Sequence, residues 1–275
     1  MRILLTNDDG IGVEGFAALR RIAAALSDDV WACAPEVEHS GAGRKLTLTD
    51  PIRVRRIDAR SFAVDGTPTD CVMLAIQELM DAPPDLVLSG VNRGQNLAED
   101  VTFSGTVAGA LQGMALGVPS IALSQAIAVF HDAQAISYAP AEVHAPGIIA
   151  RLLETGWPRE VVLNLNFPDL DPGEIEAVEV TTQGARDRHN LHAERRTDLR
   201  GRDYYWMGFT ARRQEAAAGT DLAAVQAGRI SVTPLHIDLT HRETVHALKA
   251  VLGGAPPKLK KAASFETPAK AGSSG

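Results

Sequence analysis

The sequence predicts an α/β protein on a mostly parallel, doubly wound sheet, and three observations predict it. Apolar runs of buried-strand type alternate with amphipathic stretches through the first half. Polar clusters follow those runs directly, where an open parallel sheet collects its ligands. The length, 275 residues, suits one large α/β domain or two small ones, with a core beyond the size that needs metal or disulfide staples.

Each element follows from its own pattern. RILLT at 2–6 is a short buried run and reads as the first strand. Within 13–26, Val13, Phe16, Leu19, Ile22 and Leu26 recur at three- and four-residue steps among Ala-rich turns, which predicts a helix with one core-facing stripe. VWACA at 30–34 predicts a second strand that stops at Pro35. CVMLAIQELM (71–80) reads as a helix, DLVLS (85–89) as a strand, GTVAGALQGMAL (105–116) as a small-residue helix and VPSIALS (118–124) as another strand. Farther on, VVLNLN (161–166), AVEVT (177–181) and RISVTPL (229–235) read as strands separated by long polar segments. Residues 184–220 carry many Arg, Asp and His without periodicity and are expected to form loops or an extension that packs on another subunit. From Gly253 the composition shifts to Gly, Ala, Pro, Ser and Lys, so 253–275 is expected to be a disordered tail.

Composition narrows the function classes. Hydrophobic residues make up 45% and charged residues 22%, an ordinary globular balance, and the formal net charge is −7. That acidity argues against a broad nucleic-acid surface or a stable nucleic-acid partner, while leaving room for one nucleotide in a cleft. Cys33 and Cys71 each sit in an apolar run and are expected to be reduced core residues. MRILLTNDDG reaches two carboxylates too soon for a signal peptide, and no stretch approaches a membrane span; a cytoplasmic protein is expected.

The residues that follow the strands carry the chemistry. Asn7-Asp8-Asp9-Gly10 follows the first strand, His39-Ser40-Gly41 comes soon after the second, and Gly90-Val91-Asn92-Arg93-Gly94-Gln95-Asn96 follows DLVLS. Asp8 and Asp9 would point to opposite faces of a continuing strand, so the chain has to turn there, and Gly10 and Gly12 permit it. Two crowded carboxylates call for a shared proton or a cation. Adding the Ser40 hydroxyl and the Asn92 amide oxygen gives a set of hard oxygen donors, suited to one Mg²⁺ or Mn²⁺ and unsuited to structural zinc. An isolated Asp-Asp pair is more often a solvated turn with a helix cap; its place directly after a buried N-terminal strand favours the metal.

Ser104-Gly105-Thr106 opens the small-residue helix, whose free amides and dipole suit an anion, with Gly105 allowing close approach of a phosphate. Taken alone, that tripeptide is more often a plain cap. Asn92 and Asn96 lie just upstream, so the helix start and the acidic pair can share one pocket. Asp65-Gly66-Thr67-Pro68-Thr69-Asp70 reads as a structural turn and cap, His39 as a solvated loop residue, and Arg93 as either a phosphate contact or an ordinary surface arginine.

Assembled, the stretches ILLTNDDGIGVEG, APEVEHSGAG, VDGTPTDCV, PDLVLSGVNRGQN, FSGTVAGALQG, GVPSIALS, NLNFP, RGRDYYW and SVTPLHIDLT resemble the SurE (survival protein E) family of metal-dependent nucleotidases, in order from residue 3 to about 240. The resemblance implies a Rossmann-like three-layer fold over 1–252, with its core at about 1–125, and a C-terminal extension at about 184–250 whose β-hairpin serves in oligomerisation. It implies one divalent metal per subunit on Asp8, Asp9, Ser40 and Asn92, and phosphate contacts from Asn96, Ser104, Gly105 and Thr106. It further implies hydrolysis of nucleoside 5′- and 3′-monophosphates, activity on short polyphosphate in some members, and a homodimer or homotetramer. Phe103 stands where many relatives are expected to carry Tyr.

The mechanism expected from these residues is phosphomonoester hydrolysis driven mainly by electrostatic stabilisation, with Asp8 and Asp9 as catalytic residues. Asp8 is expected nearest the nucleophile, either as a base toward the attacking water or as the direct attacker. Two competing readings are a metal-dependent glycosyl or nucleotidyl transferase and a metal-dependent nucleotide-binding, stress-response module with incidental turnover.

Overall fold

The computed structural model describes residues 1–127, 136–186, 191–209 and 215–253. Apart from Gly253, the expected tail lies outside these residues, as do parts of the 184–220 segment. In chain order the elements are β1 (Arg2–Thr6), α1 (Glu14–Ala24), β2 (Asp29–Pro35), β3 (Val54–Arg56), β4 (Ser61–Val64), α2 (Pro68–Leu74), β5 (Leu86–Arg93), α3 (Gly105–Ala115), β6 (Ser120–Gln125), α4 (Ala139–Thr155), β7 (Val162–Phe167), β8 (Val178–Val180), β9 (Leu191–Thr197), β10 (Asp203–Phe209), α5 (Asp221–Gln226), β11 (Ile230–Leu235) and α6 (Arg242–Leu252). The chain divides into two compact units, 1–237 and 238–275; among the described residues the second contributes α6, with His241 at its N-cap.

In the first unit a nine-stranded sheet runs β3-β4-β2-β1-β5-β6-β7-β11-β8. Its neighbours are parallel except β3 with β4 and β7 with β11. Successive strand residues face opposite sides, and β1 separates accordingly. Ile3 and Leu5 pack with Phe16, Leu19 and Ile22 of α1 and Ala141, Ala145 and Ile149 of α4, whereas Leu4 packs with Cys71 and Val72 of α2 on the other side. Helix α3 also covers that second side, setting Val107, Ala110 and Met114 on Ala122, Val162 and Leu235. The result is the expected three-layer α/β arrangement. Helix α3 lies close to the sheet because its facing residues are small: a Cβ on Gly109 would come within 2.8 Å of Ser89 Oγ and 2.9 Å of Thr6 Cγ2.

Several differences from the sequence reading have local causes. Strand β3 is an exposed Arg-rich edge without an apolar signal, and α4 contains Pro146, which weakens its helical pattern. The helix expected at 71–80 starts earlier, at Pro68, and gives way to a wider π-type turn over Ala75–Leu79. The strand expected to end at Ser89 continues to Arg93, with a register shift against β6 between Ser89 and Asn92. Strands β9 and β10 form a separate antiparallel ribbon, the expected hairpin. Cys33 and Cys71 are buried and free.

The Asp65–Asp70 turn has the structural role its sequence suggested. Thr67 caps α2 by accepting from the Asp70 amide at 3.3 Å, and Asp70 Oδ2 accepts from the Thr67 amide at 2.9 Å. Asp70 also accepts from the Thr47 amide and hydroxyl, and Thr67 donates to the Lys45 carbonyl, so the long β2–β3 connection is pinned to this cap. Thr67→Ala is expected to cost about 1–2 kcal/mol, lowering the midpoint of a thermal melt by roughly 2–8 °C.

Candidate active site

The acidic pair sits where the chain leaves β1. Gly10, at φ +108°, turns the backbone, the Asn7 amide group donates to the Gly10 carbonyl at 2.8 Å, and the Ile11 amide reaches the Pro35 carbonyl at 2.9 Å. The turn therefore crosses the end of β2, and the His39 amide donates to the Asp8 carbonyl at 2.8 Å. From here the two carboxylates bond to different elements. Asp8 is 4% exposed and lies against the start of α3, where the Thr106 hydroxyl donates to its Oδ1. Asp9 reaches the end of β5, its Oδ2 accepting from the Arg93 amide at 3.1 Å.

Their electrostatics follow from this placement. Burial pushes the Asp8 carboxyl up to about 7, the neighbouring Asp9 charge adds to the rise, and the Thr106 hydrogen bond opposes it. Asp9 is also raised, chiefly by burial and further by Glu38, against the opposing Arg93 amide and charge. Among the described residues neither carboxylate forms a salt bridge, and the one cation acting on the pair is Arg93, through its charge on Asp9. No three His, Cys, Asp or Glu groups gather as a metal cluster among those residues. Donors beyond Asp8 and Asp9 would thus be neutral oxygens.

The other candidate residues surround this turn. Ser40 lies exposed one residue beyond His39, and its hydroxyl donates to Glu38 Oε1 at 2.7 Å. Asn92 is half-buried, with its amide nitrogen donating to the Gly94 carbonyl at 2.8 Å, which leaves its oxygen for another partner. Arg93 is exposed, while its backbone serves Asp9. Asn96 is buried, and its side-chain nitrogen donates to Ser124 Oγ at 2.8 Å. Ser104 is the N-cap of α3, accepting from the Val107 amide at 3.0 Å. Gly105 and Thr106 meet Asp8, so the helix start that the sequence offered to a phosphate already faces a carboxylate of the chain. His39, expected to be solvated, has a buried Nε2.

Sequence reasoning passed over the residues that hold Asn96. Asn166 Oδ1 accepts the Asn96 amide at 2.8 Å, and the side chains of Asn164 and Asn166 both donate to the Asn96 carbonyl, at 2.9 and 3.1 Å. The available signal was in VVLNLN, where two asparagines at alternate positions share one face of a buried strand. The role of Thr106 as a donor to Asp8 was also missed, because residues 98 apart in the chain show no common pattern.

A family profile described as "Survival protein SurE" matches residues 3–190. The "5'-nucleotidase SurE" of Caulobacter vibrioides (strain NA1000 / CB15N) is 69% identical over 259 residues, spanning 94% of this chain and 98% of that protein. Its counterpart of the same name from Hyphomonas neptunium is 52% identical over 249 residues, spanning 90% and 98%. The crystal structure of a SurE protein from Aquifex aeolicus superposes with a TM-score of 0.78 at 40% identity, over 91% of this chain and 99% of that one. With a profile that covers more than half of the sequence and relatives matched nearly end to end, the chain belongs to the SurE family.

Proposed function

We propose that the protein is a divalent-metal-dependent phosphatase that hydrolyses nucleoside 5′-monophosphates to nucleoside and phosphate, with 3′-monophosphates and short-chain polyphosphate as further substrates. The observation that carries this reading is the Asp8–Asp9 pair, both carboxylates raised and neither in a salt bridge among the described residues, beside the amino end of α3. The name shared by the Caulobacter and Hyphomonas relatives supports the same activity.

The residues fit a hard dication. The buried Asp8 and half-buried Asp9 carboxylates, both with raised proton affinity, together with the neutral oxygens of Ser40 and Asn92, would hold one Mg²⁺ or Mn²⁺ per subunit. Such an ion supplies positive charge for the phosphoryl oxygens. The chain's own groups do the rest. The amino end of α3, at Ser104, Gly105 and Thr106, orients the phosphate, joined by the second amide proton of Asn96. Thr106 keeps the Asp8 carboxylate aimed through its hydroxyl. Asp8 either accepts a proton from the attacking water as the new P–O bond forms, or attacks phosphorus itself to give an aspartyl-phosphate that water then opens. In both routes the ester P–O bond breaks and the departing nucleoside oxygen takes a proton, from Asp8 in the first route and from water in the second. A trapped aspartyl-phosphate selects the second route, and its absence during steady turnover selects the first.

Two further parts of the reading concern context. Tyr205, Trp206 and Met207 are 60, 58 and 77% exposed on the hairpin, which supports a homodimer or homotetramer that covers this ribbon. Among the described residues no helix is long and apolar enough to cross a membrane, and free Cys33 and Cys71 support a reducing compartment, the cytoplasm.

The deciding experiment is phosphate release from a panel of 5′- and 3′-nucleoside monophosphates, short-chain polyphosphate and an aryl phosphate, with and without chelator. The expected result is release from the nucleotides that stops with chelator and returns with Mn²⁺ or Mg²⁺. Nucleotide binding without steady release would instead indicate a binding module, and a sugar-linked or nucleotidyl product would indicate a transferase.

A further inference from the structure

The chain between β5 and α3 carries Asn96 at one end and delivers Ser104 at the other. Within it, Ala98 has φ +54°, a left-handed conformation that a residue with a Cβ keeps only when its surroundings hold it there. Its peptide groups are gripped on both sides. The Ala98 amide donates to Asp221 Oδ2 at 2.9 Å, and the Ala98 carbonyl accepts from Gln183 Nε2 at 2.9 Å. Asp221 is fully buried, and its other oxygen accepts from the amides of Gly184 at 2.9 Å and Leu222 at 2.7 Å. The next two residues of the loop are held by Arg186, whose side chain is 7% exposed and pairs with Glu99 at 3.1 Å and Asp100 at 2.8 Å. Leu97 and Ala98 pack on Leu222.

Four consecutive loop residues, 97–100, are thus fixed by groups from residues 183–186 and 221–222. Asn96 on one side is fixed to β7, and on the other the Ala98–Thr102 turn leads through Phe103 to the cap of α3. Charge-assisted bonds to a buried carboxylate are short and directional, so this brace sets backbone position more tightly than apolar packing would.

We propose that Asp221, Gln183 and Arg186 are positioning residues for the substrate phosphate, acting by locking the Ala98 turn and so fixing where Asn96 and the amino end of α3 stand beside Asp8. The inference rests on the phosphatase reading for its substrate. A shift of the helix start by a fraction of an ångström would spoil phosphate contacts made by rigid amides.

The test uses the full chain with Mn²⁺ in excess, the variants Asp221→Asn and Gln183→Met, and four readouts: kcat, KM for a nucleoside 5′-monophosphate, binding of inorganic phosphate by calorimetry, and the thermal melt. Asp221→Asn is expected to raise KM and weaken inorganic-phosphate binding about 10-fold, and Gln183→Met about 3-fold, because both loosen the same turn. Gln183→Met removes one partly exposed hydrogen bond, so it decides the question if Asp221→Asn does not fold. A purely structural role would lower the melt and the active fraction, and hence kcat, while KM and phosphate affinity stay within 2-fold of the parent; that pattern in the folded variants would overturn the proposal. A parent that binds phosphate without turnover would refute the phosphatase reading alone, with the calorimetric arm still deciding the brace. A parent that neither releases phosphate from nucleotide nor binds inorganic phosphate would overturn both.

Discussion

Asp8→Asn is expected to lower phosphate release at least about 10³-fold while leaving the folded structure intact, and Asp9→Asn to do the same. The amide is nearly isosteric with the carboxylate and can still accept from Thr106, so packing around residue 8 survives. What is lost is one of the two negative charges that would hold the dication, together with the base or nucleophile itself. Circular dichroism beside kcat/KM checks both halves, and full activity in either variant would refute the site assignment. The same substitution has an opposite effect on stability. In chelator, the folded pKa of Asp8 is about 7 against an ordinary value of 3.8, so the folded protein binds the proton more tightly than the unfolded chain. The stability contributed by protonated Asp8 is therefore complete below about pH 4 and is lost as pH rises through 7, by roughly 2–4 kcal/mol. Thermal melts in chelator at pH 5 and pH 8 should show the parent losing stability with pH more steeply than Asp8→Asn.

The parts of this architecture that the sequence announces are those encoded locally. Ile3, Leu4 and Leu5 are apolar and the residues after Thr6 turn polar, so β1 and the acidic turn that follows it are both legible, and α1 follows from a single stripe. The sequence of β5 looks shorter than the strand is, because Gly90 and the polar Asn92-Arg93 resemble a loop, whereas pairing with β6 carries the strand to Arg93. Strand β3 leaves no strand signal in the sequence because its residues face water. In the site, the residue types were legible and their partners were not. Asp221 reaches Ala98 across 123 positions and Asn166 reaches Asn96 across 70, and one buried aspartate in a polar stretch looks the same whether it caps its own helix or grips a distant loop. The helix start is the clearest case. Its sequence advertises an anion site, and only the fold shows which anion of the chain arrives there first.

That distinction gives Gly105 a sharper role and a second large effect. The sequence assigns its missing side chain to the approach of a phosphate; the structure assigns it to Asp8. A Cβ at position 105 would fall 2.7 Å from Asp8 Cβ and 2.8 Å from Oδ2, closer than packed carbon and oxygen atoms stand, and both residues are buried. Position 105 begins α3, where alanine is a better helix former than glycine, so helix propensity alone would make Gly105→Ala mildly stabilising. Displacement of the carboxylate opposes that gain. To admit the methyl group, either Asp8 swings away from Thr106 or α3 lifts from the sheet, and each motion separates the acidic pair from the amides proposed to face the phosphate. Gly105→Ala is therefore expected to reduce kcat/KM for nucleoside monophosphates by about 10²-fold, although no polar group has been removed. Titration with Mn²⁺ followed by the thermal melt distinguishes the two motions. If Asp8 moves, cation-induced stabilisation weakens along with activity; if the helix lifts, stabilisation by the cation persists and inorganic-phosphate binding is what fails. Activity within 3-fold of the parent would mean that the close packing of Gly105 on Asp8 does not shape the site.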